Sequence, residues 1–138
     1  MLDTTTPEGA RAAERLRSEQ VIWLTTVGPE GRPQSSPVWF VYDGETFLLF
    51  GQPSSWKVRN IRGNPGVSLH LDSDGRGGEI VTIEGAAEIV EGAPLAHEVP
   101  AYLEKYREGM AGIGMTPEEM GNEYGVAIRV TPLRVRVY

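Results

Sequence analysis

Gly51-Gln52-Pro53-Ser54-Ser55-Trp56-Lys57-Val58-Arg59-Asn60-Ile61-Arg62-Gly63-Asn64-Pro65 is a polar turn that follows an apolar strand and opens directly into a short cationic helix. Ser54 or Ser55 can cap that helix, the amides of its first turn have no intrahelical acceptor, and Lys57 and Arg59 add positive charge at its electropositive end. The arrangement fits an anion cradle into which a phosphate would sit; the alternative is an ordinary capped helix carrying a solvated surface lysine. Asn60 shares a helix face with Lys57 more nearly than Arg59 does, and Gly63-Asn64-Pro65 stops the helix.

The segments on either side read as short β-strands. Thr46–Phe50 delivers the chain to this turn from the Asp43-Gly44 bend, and Val21–Val27 and Gln34–Tyr42 form a hairpin around Gly28-Pro29-Glu30-Gly31. A helix over Pro7–Glu19, with Thr6 as its cap and Pro7 at its first position, precedes them, and residues 1–6 are expected to be flexible. Downstream, Val67–Asp72 and Glu79–Glu91 are strands, the second bent or bulged at Gly85. Pro94–Arg107 has helical periodicity through Leu95, Val99, Tyr102, Leu103 and Tyr106, interrupted by Pro100. A further helix starts at Thr116-Pro117-Glu118-Glu119, and Val126–Val130 and Arg134–Tyr138 alternate as closing strands. This order implies a mainly β (α+β) fold, a six-stranded antiparallel split barrel with short flanking helices. An open sheet of this size would leave two bare edges.

With 138 residues the chain is read as a single domain, 1–138. A net charge of −6 argues against a nucleic-acid partner and makes the local positive charge at Lys57, Arg59 and Arg62 a contrast with the whole. The chain has no cysteine, which excludes disulfides, thiolate catalysis and thiolate metal sites. His70 and His97 stand in no nucleophile–base or metal-ligand spacing; His70 reads as a strand residue and His97 as a helix-surface residue. Asp72-Ser73-Asp74-Gly75 lacks the further ligands of a calcium loop, and Gly75-Arg76-Gly77-Gly78 lacks the ending of a phosphate loop, so this stretch is a turn and no metal is expected. No segment is apolar and long enough to span a bilayer and no leader pattern opens the chain, so the location is read as cytoplasmic.

Two motifs together resemble a known family. Gly31-Arg-Pro-Gln-Ser-Ser-Pro-Val-Trp-Phe40 is similar to the second strand, and Phe50-Gly-Gln-Pro-Ser-Ser-Trp-Lys57, continued by Arg59-Asn60 and closed by Asn64-Pro65, to the phosphate-binding segment, of the pyridoxamine 5′-phosphate oxidase-like split barrels. These bind flavin or deazaflavin. The resemblance is nearest to the short actinobacterial members that use the deazaflavin F420. The chain departs from the true vitamin B6 oxidases, ending at Arg134-Val-Arg-Val-Tyr138 without the Arg and His pair that holds their substrate.

The resemblance implies that Gln34, Ser36 and Val38, on one face of their strand, meet the ring, the alternative being that this is simply the solvent face, and that Gln52, Pro53, Ser54, Ser55, Lys57 and Asn60 surround the phosphate. Arg76 of a second subunit would touch the acidic tail of the deazaflavin. Trp39 and Trp56 either stack on a ring or belong to the core or a dimer interface. The expected activity is hydride transfer from reduced F420 to an unsaturated small-molecule acceptor, by a homodimer with the cofactor at the interface. An FMN-dependent oxidase or reductase and a non-catalytic carrier are the alternatives. No catalytic side chain is legible, which suits a reaction whose chemistry the cofactor carries.

Overall fold

Among the described residues, 2–138, the computed structural model forms one antiparallel sheet of seven strands: β1 (Ile22–Val27), β2 (Pro33–Val38), β3 (Val41–Tyr42), β4 (Phe47–Gly51), β5 (Gly66–His70), β6 (Val81–Ile89) and β7 (Val126–Val137). Met1, the first of the residues expected to be flexible, lies outside the described residues. The strand order is β2-β1-β5-β6-β7-β4-β3, which puts β2 and β3 at opposite edges, yet only Trp39 and Phe40 separate them in sequence. Three Cα steps reach at most about 11 Å. The edges of a flat seven-stranded sheet would lie about 29 Å apart. The sheet must therefore curl, and it does so as a half-barrel whose edges meet at a two-residue seam.

The expected six strands are corrected to seven. Gln34–Tyr42, read as one strand, is two: the chain leaves one edge at Val38 and joins the other at Val41. Conversely, Val126–Val130 and Arg134–Tyr138 belong to one strand, β7, that runs through Pro132. Proline has no N–H for a ladder, and Pro132 pairs with Gly85, beside the register shift between Glu84 and Gly85. The expected bulge is thus present. A Cβ on Gly85 would stand 2.7 Å from Val130 Cγ1 and 3.0 Å from the Thr131 carbonyl, so only glycine allows this approach.

Four helices flank the sheet: α1 (Pro7–Ser18), capped by Thr6, α2 (Trp56–Gly63), α3 (Pro100–Gly112) and α4 (Pro117–Glu123). Pro100 opens α3 rather than interrupting a helix, because the first position needs no N–H; the residues before it make only a single 3-10 turn, Ala96–Glu98. Thr116 and Glu119 close a capping box at the start of α4.

Side-chain alternation along β4 and β7 serves two cores. Leu49 and Ile128 join Ile22, Leu24, Leu69 and Ile83 inside the half-barrel, under Leu16 of α1. Phe50 and Ala127 face the other way and pack with Tyr102, Tyr106 and Met110 of α3 and Met120 of α4. The α2 segment leaves the end of β4 between these two cores, burying Val58 and Ile61 in the first.

Candidate functional site

Where β4 ends, the turn 52–55 closes with the Ser55 amide donating to the Gln52 carbonyl (3.0 Å). Ser55 caps α2, its hydroxyl accepting from the Val58 amide at 3.4 Å. The amides of Trp56 and Lys57 stand ahead of the first intrahelical bond and have no acceptor in the helix. Lys57 projects into a cleft of about 210 Å³ whose other walls include Pro37 and Val38 from β2, Trp39 from the seam, Phe50 from β4, Tyr102 from α3 and Met120 and Tyr124 from the α4 region.

The chain carries eleven arginines and only two lysines, Lys57 and Lys105. Among the described residues every ion pair is made by an arginine, as in Arg15–Glu19, Arg62–Glu91 and Arg136–Glu84, and Lys57 has neither a carboxylate within 4.0 Å nor a hydrogen-bond acceptor. Burial in the cleft holds its ammonium below the ordinary lysine pKa. A half-buried cation with no counter-charge, beside unpaired helix amides and above an apolar floor, has the chemistry to hold an anion attached to an apolar body.

The remaining expected contacts divide between two clefts. Val38 lines the Lys57 cleft. Gln34 and Asn60 line a second, more open cleft of about 400 Å³, together with Trp56, Gly28, Pro29 and Arg32. Lys57 and Asn60, expected on one helix face, therefore look into different clefts. Asn60 is only 4% exposed, and its amide donates to Thr26 Oγ1 (2.9 Å) and Gln34 Oε1 (3.3 Å), tying α2 to β1 and β2. Gln52 donates to Glu123 Oε1 (3.0 Å), tying the turn to α4. Pro53 and Ser54 are exposed, and Ser36 is half-buried on the edge strand. Arg76 lies in the exposed loop between β5 and β6 and lines neither cleft of its own chain; Asp74 accepts from the Arg76 and Gly78 amides (2.8 and 3.0 Å), which makes the loop the expected turn. Among the described residues no cluster of three or more metal-ligating side chains occurs.

The two tryptophans part company as well. Trp39 stacks on Tyr106, with centroids 4.5 Å apart and planes 2° from parallel, and also lines the Lys57 cleft. Trp56 is 62% exposed at the second cleft, with the Arg59 guanidinium 5.5 Å from its ring centroid. Tyr102, Met120 and Tyr124 were missed as site residues: Tyr102 belongs to an apolar helical stripe that reads as core, and nothing local brings Met120 and Tyr124 to the cleft that Lys57 lines. His97 is corrected from a helix-surface residue to a half-buried one, packed on α4 where a Cβ on Gly121 would lie 2.1 Å from its Nδ1; that nitrogen is buried and has no hydrogen-bond partner among the described residues.

A curled half-barrel with a cationic, aromatic-walled cleft at its seam is the architecture of a split barrel. The chain belongs to the pyridoxamine 5′-phosphate oxidase family, whose model matches residues 9–138. A conserved hypothetical protein of Mycobacterium tuberculosis has a similar structure, with 30% sequence identity, a TM-score of 0.74 and coverage of 94% of this chain and 82% of that one. An F420 reductase is 26% identical, with a TM-score of 0.69 over 89% of this chain and 94% of that one. The heme storage protein of Vibrio cholerae, at 18% identity and a TM-score of 0.68 over 96% and 95% of the two chains, shares the fold alone. Among curated proteins, none matches the chain. No helix among the described residues is long and apolar enough to cross a membrane.

Proposed function

We propose that this protein binds a phosphate-bearing flavin-type cofactor in the Lys57 cleft and acts as an F420-dependent reductase, passing hydride to an unsaturated organic acceptor. The observation that carries the reading is Lys57 itself, a half-buried ammonium with no anion beside it among the described residues, at the start of a capped helix and under an aromatic wall. A phosphate there would gain the ammonium and the Trp56 and Lys57 amides together, and would restore the counter-charge that burial demands. Trp39, Phe50, Tyr102 and Tyr124 offer apolar surface to the attached ring and keep water from it. The cofactor, when bound, supplies the hydride chemistry; the chain's own residues bind, orient and exclude solvent.

The 26% identity to an F420 reductase supports the deazaflavin over FMN. FMN, with one phosphate, would satisfy the same cradle, and a carrier role needs no more than binding. A heme role is disfavoured because neither His70, stacked on Trp23 with centroids 6.2 Å apart, nor His97 lines either cleft. We place the cofactor at the interface of a homodimer, where Arg76 in its exposed loop would reach the neighbouring subunit's cofactor.

The test is titration of the purified protein with F420 and with FMN, followed by turnover assays with enones and quinones and light scattering of the loaded protein. Saturable F420 binding with reduction of an acceptor is expected. Tight FMN binding without F420 binding would replace the deazaflavin assignment, F420 binding without turnover would leave the carrier, and a loaded monomer would remove the interface site.

A further inference from the structure

Trp39 and Phe40, the two residues of the seam, belong to no strand, so the peptide groups of Phe40 lack a ladder partner. Both are satisfied from α3. The Phe40 amide donates to the Tyr106 hydroxyl at 2.8 Å. The single Tyr106 proton has two acceptors in reach, the Gln20 carbonyl at 2.7 Å and the Phe40 carbonyl at 2.9 Å. Lys105 Nζ also donates to the Phe40 carbonyl at 2.9 Å, so the hydroxyl is released to serve Gln20 and every group is paired. Lys105 Nζ at the same time sits 3.8 Å from the centroid of the Phe40 ring. The ring of Tyr106 meanwhile carries Trp39 in a parallel stack, and Trp39 is a wall of the Lys57 cleft while Tyr106 is not.

We propose that Tyr106 is a positioning residue for the ligand cleft: from α3 it fixes the Phe40 peptide through its hydroxyl and the Trp39 ring through its face. This rests on the reading of the Lys57 cleft as the cofactor site. The seam is the one place where the half-barrel is closed by two residues without a ladder, so the orientation of Trp39 is determined by what holds the peptide that follows it. Tyr106 is fully buried, and its three hydrogen-bond partners span the β1 entry and the seam, so its hydroxyl links them rigidly.

Tyr106→Phe keeps the stack and removes the hydroxyl. We expect binding of F420 or FMN to weaken by about fivefold to tenfold, from an unsatisfied Phe40 amide and a shifted wall, and the Trp39 indole resonance, assigned through Trp39→Phe, to move in the ligand-free protein. Ile83→Val, inside the barrel and away from the cleft, supplies a variant of comparable stability loss. A purely structural role for Tyr106 would weaken binding equally in both variants, or in neither, and either result overturns the proposal. Should Tyr106→Phe fail to fold, Lys105→Met removes the ammonium that donates to the Phe40 carbonyl and lies over the Phe40 ring, so the Tyr106 proton is divided between the Gln20 and Phe40 carbonyls; the same indole resonance must then move and binding must weaken, and an unmoved resonance overturns the proposal. If the wild-type protein binds neither ligand, the cofactor reading fails, and the indole resonance still reports whether Tyr106 positions Trp39.

Discussion

Replacing Lys57 with Met should move stability and affinity in opposite directions. Methionine keeps most of the stem that packs in the cleft and deletes the ammonium, which in the free protein is half-buried, unpaired among the described residues, and depressed in pKa by desolvation alone. Removing an uncompensated charge relieves a cost, so the ligand-free variant should melt at or slightly above the wild-type temperature. The bound complex should lose a charge-assisted hydrogen bond to phosphate, about 1.5–3 kcal/mol, or roughly 10- to 150-fold in Kd. Wild-type affinity should also fall as pH rises through the depressed lysine pKa, below the range of an ordinary lysine, whereas the variant should lack that step. The assay is fluorescence titration with F420 and with FMN, paired with thermal melts of the free protein. Unchanged affinity, or a variant that melts lower and binds as wild type, would refute the assignment of Lys57 as the anion contact.

Three further outcomes follow from the packing. Asn60→Ala should cost about 1–3 kcal/mol in denaturant unfolding, because it orphans the 2%-exposed Thr26 hydroxyl and unties α2 from β1. Gly121→Ala drives a methyl into His97 and should destabilise by about 1–3 kcal/mol; the loss should be smaller in the His97→Ala background, as a double-mutant cycle would read. The third concerns alkaline pH. Burial lowers the Lys105 pKa to about 8 in the folded protein, against 10.5 for a free lysine, so between these values the unfolded chain binds more protons and stability rises with pH. Burial raises Tyr102 and Tyr106 above 10.0, so above that pH the unfolded chain loses protons first and stability falls. Melting temperature should therefore rise from pH 8 toward pH 10 and drop beyond it, and Lys105→Met should flatten the rise.

Much of the half-barrel is written locally. Pro37 marks an edge strand because proline cannot serve an interior ladder, Gly85 marks the bulge, and Thr6-Pro7 and Thr116-Pro117 mark helix starts. The break at Trp39-Phe40 was not legible, since both residues favour strands and what separates them is the curl of the whole sheet. Pro100 misled in the other direction: a proline is a breaker inside a helix and a starter at its first turn, and only the 3-10 turn before it decides which. The cationic side of the candidate site was readable because Ser55, Lys57 and the helix start are neighbours in sequence. Its apolar wall was not, because Tyr102, Met120 and Tyr124 come from α3, α4 and the residue after α4, whose placement depends on contacts distant in sequence such as Gln52–Glu123 and His97 on Gly121. Asn60 shows the limit within one helix, since periodicity puts it near Lys57 while the turn of the backbone gives the two residues different clefts.

The central claim is that the phosphate of a flavin-type cofactor lies at Lys57, and a crystal structure of the protein with F420 bound tests it most directly. The account predicts the phosphate within about 3.2 Å of Lys57 Nζ and of the Trp56 or Lys57 amide, with the ring against Trp39. A cofactor bound with its phosphate elsewhere, Lys57 still without an anion, would contradict it.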